Sequence, residues 1–190
     1  MAIETLSLAD WGGSAAAAVS IVLLFRKSLW YWYVSIVATV LWFYLFLRTQ
    51  SPMVAGLQLS YTLLAGYGIA RWRLQARGTA VPGWLEHAGA GIAALIFVAT
   101  VGVADFAEWP SYVEFAAVAL SIFATWLTAM KVIWCWPVWI ATNVLFAVLF
   151  WHHALLGVFA MQFLYAGLSL VGWRAWLRDA APAAPALRPA

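Results

Sequence analysis

Long apolar runs, interrupted by short stretches with charges, proline or glycine, make up most of this 190-residue chain. Seven runs can be delimited, and none alternates between apolar and polar residues with the period of two that barrel strands show. Each run approaches the roughly 20 residues that a helix needs to cross a bilayer. The pattern therefore predicts seven transmembrane helices, at about residues 9–25, 29–47, 53–70, 88–104, 112–130, 132–151 and 154–173.

The composition excludes a water-soluble globule. Hydrophobic residues make up 66% of the chain and charged residues 9%, against roughly 25% charged residues in an ordinary soluble domain. In lipid, only helices and closed barrels satisfy every backbone hydrogen bond, so we expect an all-α membrane protein surrounded by the lipid bilayer. The net charge of +3 indicates orientation and not nucleic-acid binding, and the single cysteine, Cys135, allows no internal disulfide.

The basic residues fall almost entirely on one side of the predicted bundle. If the N-terminus lies outside the cell, Arg48 is the only one of the ten basic residues that is also outside. Because Lys and Arg are enriched in cytoplasmic loops, this asymmetry predicts an external N-terminus and a cytoplasmic C-terminus. The residues on the predicted cytoplasmic side are Arg26, Lys27, Arg71, Arg73, Arg77, Lys131, Arg174, Arg178 and Arg188.

The chain repeats itself at a constant offset of 104 residues. Matches of leucine and valine are common between apolar helices, but matches of tryptophan, glutamine, tyrosine and glycine are not. The informative pairs are Trp30 and Trp134, Trp32 and Trp136, Gln58 and Gln162, Tyr61 and Tyr165, Gly68 and Gly172, and Trp72 and Trp176. Two three-helix units with a single helix between them run parallel, which predicts a 3+1+3 bundle of seven helices.

This arrangement divides the chain into four parts. Residues 1–73 form the first three-helix repeat, 74–110 a linker with the fourth helix, 111–178 the second repeat, and 179–190 an Ala/Pro tail that we expect to be disordered. Small transporters built from parallel repeats bind their substrate near the bilayer midplane, between the repeats. A duplicated structural scaffold would show the same pattern.

Few polar side chains interrupt the apolar runs, and such residues are candidates for function. Trp136, Trp139 and Asn143 share one helix face at i, i+3 and i+7, and Gln162 and Tyr165 share another at i and i+3. Rings and amides without charge suit a neutral or delocalised heteroaromatic ligand, and a positively charged ring would gain cation–π contacts. With their repeat counterparts, the predicted binding residues are Trp32, Gln58, Tyr61, Trp136, Trp139, Asn143, Gln162 and Tyr165.

Other interpretations of these residues stay open at this point. The tryptophans are also typical of an interfacial aromatic belt, and the amide side chains are also typical of residues that form hydrogen bonds between helices. Thr39, the repeat counterpart of Asn143, is a weaker candidate because threonine often bonds to its own helix. The sequence has no HExxH, paired CxxC or Walker A pattern and no carboxylate pair within a run, so we expect no enzyme, catalytic residue, metal site or cofactor.

Several motifs resemble those of the PnuC family of vitamin transporters. In the second half these are Trp136-Pro137-Val138-Trp139 followed by Asn143, then Gln162, Tyr165 and Gly172-Trp173 ahead of a basic end. In the first half they are Trp30-Tyr31-Trp32, Gln58, Tyr61, Gly68 and Arg71-Trp72. The resemblance covers residues 6–178, which is nearly the whole chain, and its most specific part is WPxW followed, after three intervening residues, by Asn.

The resemblance implies a fold, a location and a substrate class. The fold would be SWEET-like, and the protein would lie in the bacterial inner membrane as a homo-oligomer, a trimer by family resemblance. The substrate would be a small-molecule vitamin, nicotinamide riboside first, carried by facilitated diffusion and trapped inside by a separate kinase for pyridine nucleotide synthesis. Thiamine and riboflavin are substrates of similar transporters, so either is an alternative. Less favoured alternatives are a sugar transporter and a non-transporting scaffold packed through the Gly/Ala-rich fourth helix.

The resemblance also implies roles for individual residues. Trp136, Trp139 and Asn143 would stack on and hydrogen-bond the ring of the substrate, with Gln58, Gln162 and Tyr165 nearby. The first half has Tyr33-Val34-Ser35 where the second has Pro137-Val138-Trp139, so we expect the ring contacts mainly in the second half. Pro137 lacks an N–H group, and we hypothesise that it removes a backbone hydrogen bond from the sixth helix and lets that helix flex.

Overall fold

The computed structural model describes residues 2–48, 52–103, 106–153 and 156–180. These residues form seven α-helices, which confirms the predicted number of helices. The helices are α1 (Ala2–Phe25), α2 (Trp30–Arg48), α3 (Pro52–Ala76), α4 (Gly83–Val103), α5 (Trp109–Ala129), α6 (Cys135–His152) and α7 (Leu156–Ala180). Of these, α2, α4, α5 and α6 are long and apolar enough to cross a membrane, and α1 carries a shorter apolar run, Ala9–Phe25.

Four helix ends lie five or more residues beyond the sequence prediction, and one of them is the start of α1, at Ala2 instead of about residue 9. Helix α3 continues to Ala76 and α7 to Ala180, whereas the apolar runs end near residues 70 and 173. Helix α4 begins at Gly83, five residues before its apolar run. Hydropathy identifies where an apolar run ends, but the backbone hydrogen bonds of a helix can continue through the polar residues beyond it until a turn ends the helix. The expected disorder from residue 179 is wrong for residues 179 and 180, which are helical, and residues 181–190 lie outside the described part.

Six helices form a closed ring in the order α1, α2, α3, α5, α6, α7, with α7 packed against α1. Each helix of the ring packs its backbone against its two neighbours in this order. Helix α4 lies outside the ring and packs on α3 and α5. The ring therefore leaves a central space that the side chains of six helices can line.

The two turns that follow α1 and α5 have the same geometry at positions 104 residues apart. Lys27 and Lys131 are in the left-handed region, with φ of 50° and 57°. Lys27 N–H donates to Leu24 O at 2.9 Å, and Lys131 N–H donates to Thr128 O at 3.0 Å. In each turn, the backbone N–H of the next residue donates to the carbonyl oxygen five residues earlier. Both helices therefore end in the same Schellman motif.

Buried aromatic residues fill the end of the ring that carries Lys27 and Lys131, which we call the basic end. The buried members include Tyr31, Trp32, Trp72, Trp136 and Trp176. Trp32 and Trp72 have ring centroids 5.4 Å apart at 77°, and the equivalent rings of Trp136 and Trp176 are 5.4 Å apart at 87°. Edge-to-face pairs of this kind add to the stability of the packed cluster. The cluster closes the ring at the basic end.

Candidate binding cavity

The ring surrounds a cavity of about 160 Å³. All six helices of the ring contribute to its wall, and no described residue of α4 does. None of the described lining residues carries a charge. The structure brings all eight sequence-predicted residues to this wall: Trp32, Gln58, Tyr61, Trp136, Trp139, Asn143, Gln162 and Tyr165.

Asn143 contributes an amide side chain to the cavity wall. Its side chain is buried, and its amide makes no hydrogen bond to another described residue. Its repeat counterpart Thr39 is occupied, because the hydroxyl donates to Ile36 O at 3.0 Å and shares a 2.9 Å hydrogen bond with Thr62. An amide presents two donors and an acceptor, and leaving them unpaired in a buried site is unfavourable. A ligand or water in the cavity would supply the missing partners.

Trp139 presents an aromatic ring whose orientation is fixed. Its indole N–H donates to Thr128 Oγ1 at 3.1 Å, and the Thr128 hydroxyl in turn donates to Ala124 O at 2.8 Å. The ring lies with its centroid 6.0 Å from that of Tyr61, at 54°. Trp139 belongs to α6 and Tyr61 to α3, so the two aromatic residues reach the cavity from different sequence repeats.

Thr128 was not among the sequence candidates. It is fully buried on α5 and acts through Trp139. The spacing of hydroxyl residues could have identified Thr128, because Ser121, Thr125 and Thr128 lie at i, i+4 and i+7 and therefore share one helix face. All three are buried, and Thr125 lines the cavity. Sequence reasoning also missed Thr142, a lining residue whose buried hydroxyl has no partner in the described part of the chain.

The two glutamines face the cavity from helices α3 and α7 and are both buried. Gln162 Nε2 donates to Val158 O of its own helix at 3.1 Å. Gln58 Oε1 is buried without a hydrogen-bond partner among the described residues. Within the described part of the chain, neither amide makes the hydrogen bond between helices that a purely structural role would require. The Gln58 Oε1 acceptor is therefore available to a ligand.

Tyr165, Trp32 and Trp136 line the cavity with groups that are already engaged. The Tyr165 hydroxyl donates to Ser14 O of α1 at 3.3 Å, so this residue offers mainly its ring. Trp32 and Trp136 are each 1% exposed and belong to the aromatic cluster at the basic end. They form the floor of the cavity, whereas Trp139 and Tyr61 are less tightly covered and present more of their rings.

A sequence model described as nicotinamide mononucleotide transporter matches residues 7–178. The chain belongs to this family, the PnuC family. The family assignment drawn from the WPxW motif and the paired glutamines is thereby confirmed. No curated protein and no solved structure matches the chain. As a member of the PnuC family with several long apolar helices, the protein is a multi-pass membrane transporter of a small molecule.

In this PnuC-family chain Pro137 does not interrupt a helix. Helix α6 begins at Cys135, so Pro137 occupies the third helical position. The first N–H groups of a helix have no partner within it, and proline there removes no helical hydrogen bond. The hypothesis that Pro137 breaks a backbone bond in the sixth helix is therefore wrong. Its fixed φ instead favours the start of α6, just before Trp139.

Proposed function

We propose that this chain carries nicotinamide riboside across the bacterial inner membrane by facilitated diffusion. The observation that supports this proposal is the uncharged central cavity, where the free amide of Asn143 lies among aromatic rings. Nicotinamide riboside has a cationic ring, a carboxamide and a ribose. The Asn143 amide can pair with the carboxamide, since each supplies both a donor and an acceptor.

The rest of the substrate matches further groups of the wall. Trp139 and Tyr61 offer π faces to the cationic ring, and such contacts strengthen where water is excluded. Gln58 Oε1 can accept a hydrogen bond from a ribose hydroxyl. Thiamine also has a cationic heteroaromatic ring, so it is the second candidate substrate and riboflavin the third. The Asn143 and Trp139 contacts would make the second half the main contributor of ring contacts.

We also propose the SWEET-like 3+1+3 arrangement, with repeats at residues 1–73 and 111–178 and the linker at 74–110. The matching caps at Lys27 and Lys131 and the matching Trp pairs support two equivalent halves. The halves would rock about the cavity and expose it to each side in turn. The lining residues that the structure describes offer no charged group for ion coupling, so trapping of the substrate by a separate kinase would drive accumulation.

The proposed orientation places the basic end in the cytoplasm and the N-terminus outside. Burial, together with the charges of Arg71 and Lys27, lowers the pKa of Lys131, so three cations lie close together at this end. A concentration of positive charge is typical of the cytoplasmic side. A reporter active only in the cytoplasm should give signal when fused at the C-terminus and none at the N-terminus.

The trimer that the resemblance implies is to be checked by the mass of the detergent-solubilised particle.

The direct test is calorimetric titration of the purified protein with nicotinamide riboside, thiamine and riboflavin in turn. We expect nicotinamide riboside to bind, and Trp139→Ala and Asn143→Ala to weaken binding about 5- to 150-fold, the equivalent of roughly 1–3 kcal/mol for each lost contact. Ser60→Ala is the matched control, because Ser60 is buried on α3 but bonds to Gly56 O and lies outside the cavity wall. Binding of thiamine or riboflavin alone would replace the proposed substrate. Failure of all three with folded protein would contradict vitamin transport.

A further inference from the structure

Two pairs of neighbouring helices pack the proposed halves together, and the two pairs differ in their hydrogen bonds and ion pairs. In the ring, α3 packs against α5 and α7 packs against α1. We call these the α3/α5 seam and the α1/α7 seam. Any rocking of the halves must open or bend both seams, so their strengths decide the path of the motion. At the basic end both seams use the same first contact, a tryptophan N–H donated to a helix-terminal carbonyl of the other half.

The α3/α5 seam is reinforced at that contact. Ala129 O, the last carbonyl of α5, accepts Trp72 Nε1–H at 2.8 Å and Arg71 Nη1–H at 3.2 Å. Arg71 is itself buried, and its guanidinium also donates to Glu86 of α4 at 2.9 and 3.1 Å. The Tyr67 hydroxyl donates to the same carboxylate at 2.9 Å. Charged hydrogen bonds of this geometry are short and strong, and a buried arginine cannot easily give up its partners.

Helix α4 covers the α3/α5 seam from outside the ring. It packs on both α3 and α5, and Gly89 brings its backbone against Tyr67 so closely that an added Cβ would lie 2.4 Å from the ring. The seam is therefore closed by three helices, with Glu86 connecting α4 to the Arg71 side chain. Separation of α3 from α5 would break these contacts together.

The α1/α7 seam has none of this reinforcement. Trp176 Nε1–H donates to Leu24 O at 3.2 Å. That carbonyl also accepts the Lys27 backbone N–H of its own half, but among the described residues it accepts no second donor from α7. The positions equivalent to Arg71 and Tyr67 are Ala175 and Val171, which cannot make the same hydrogen bonds. At the basic end the further contacts are the 3.1 Å ion pair of Lys27 and Asp179, whose side chains are 33% and 56% exposed, and the Lys27 cation 5.0 Å from the Trp176 ring centroid. Nearer the middle of the helices, the Tyr165 hydroxyl donates to Ser14 O at 3.3 Å. Exposed ion pairs contribute little, and within the described residues no helix covers this seam.

From this asymmetry we propose that the α3/α5 seam is the hinge and that the α1/α7 seam parts when the basic end opens. The inference rests on the proposed rocking of two halves. It adds that the motion is one-sided, so the cavity opens between α1 and α7 and not between α3 and α5. Arg71 and Glu86 are then positioning residues that hold the hinge, and they do not touch the substrate.

A pair of matched cross-links tests the proposal. Lys27→Cys with Asp179→Cys spans the α1/α7 seam, and Lys131→Cys with Gln75→Cys places cysteines at the equivalent positions of the α3/α5 seam. The native Cys135 is fully buried and can stay in place. Each variant is treated with a short bifunctional methanethiosulfonate, reconstituted into vesicles and assayed for nicotinamide riboside uptake. Reduction of the link provides the internal control.

We expect the Lys27/Asp179 link to abolish uptake reversibly while calorimetric binding persists, and the Lys131/Gln75 link to leave uptake nearly unchanged. Loss of uptake with the Lys131/Gln75 link, or continued uptake with the Lys27/Asp179 link, would overturn the one-sided opening. Absence of nicotinamide riboside binding to the parent protein would instead overturn the proposed substrate.

A second measurement needs no substrate transport. Nitroxide labels on the same two cysteine pairs report short distances through dipolar broadening of their spectra. A broadening that weakens on nicotinamide riboside addition at the Lys27/Asp179 pair, but not at the Lys131/Gln75 pair, supports the hinge. Equal changes in broadening at the two pairs, or no change at either, would contradict the hinge. When Glu86→Gln is added, the broadening at the Lys131/Gln75 pair should also weaken on nicotinamide riboside addition.

Discussion

Gly172 on α7 lies against the indole of Trp136 on α6, so closely that a Cβ added to the glycine would be 2.3 Å from Cη2 of the ring. The same relationship holds 104 residues earlier, where a Cβ on Gly68 would lie 2.3 Å from the Trp32 ring. Each tryptophan is wedged between its glycine and a second tryptophan, so it cannot move aside easily. The floor of the cavity therefore depends on two glycines that have no polar or catalytic role.

Gly172→Ala should destabilise the protein. Overpacking of a dense core costs roughly 1–3 kcal/mol, which exceeds the gain of about 1 kcal/mol that alanine brings to a helix. The matched control is Gly167→Ala on the same helix, where an added Cβ meets no atom within 4 Å. We expect a lower midpoint of thermal denaturation in detergent for Gly172→Ala and an unchanged or higher midpoint for Gly167→Ala. Equal midpoints would show that the Trp136 ring relaxes freely.

The helices and several residues of the cavity wall could be predicted from the sequence because both depend on the contrast between apolar and polar residues. Apolar runs define membrane helices, and in such runs a glutamine, an asparagine or a matched tryptophan is unusual enough to be noticed. Trp139 and Asn143 could therefore be found without a structure. The hydrogen bond from Trp139 to Thr128 could not, because it joins two helices whose relative rotation is set by packing.

The differences between the halves were also beyond the sequence pattern. Thr39 matches Asn143 in the repeat, but only the structure shows that Thr62 satisfies Thr39 while Asn143 stays free. Likewise, hydropathy identifies α4 as a separate helix without saying that it covers the α3/α5 seam. Arg71 looked like one more residue of a basic loop, yet it is buried and bonded to Glu86.

Thr128→Val should weaken substrate binding although Thr128 does not line the cavity. Valine has nearly the same shape but removes the acceptor of the Trp139 indole N–H, so the ring loses its fixed orientation. A lost neutral hydrogen bond is worth roughly 0.5–1.5 kcal/mol, which predicts a dissociation constant about 2- to 12-fold higher by calorimetry. Thr100→Val on α4 is the control, because its hydroxyl bonds only to Ile96 O of its own helix. Equal binding by both variants would mean that packing alone orients Trp139.

Pro137→Ala should leave transport almost unchanged. Because Pro137 stands at the third position of α6, alanine restores no helical hydrogen bond and removes no flexing point. We expect uptake within about twofold of the unmodified protein, equivalent to less than roughly 0.5 kcal/mol. Uptake by reconstituted vesicles measures this. A large loss of rate with normal binding would indicate that the proline assists the conformational change by another route.

Nicotinamide mononucleotide should bind far more weakly than the riboside, despite the description of the family. The added phosphate carries about −1.5 to −2 charges at pH 7, and no described lining residue is Lys, Arg or His. An unpaired buried anion costs several kcal/mol, so we expect competition at least about 100-fold weaker in calorimetric displacement. The second phosphate proton has a pKa of about 6, so at pH 5 the anion loses about one charge and the difference between the two ligands should shrink. Equal affinities at pH 7 would require a cation in the site and would contradict the uncharged cavity as the basis of selection.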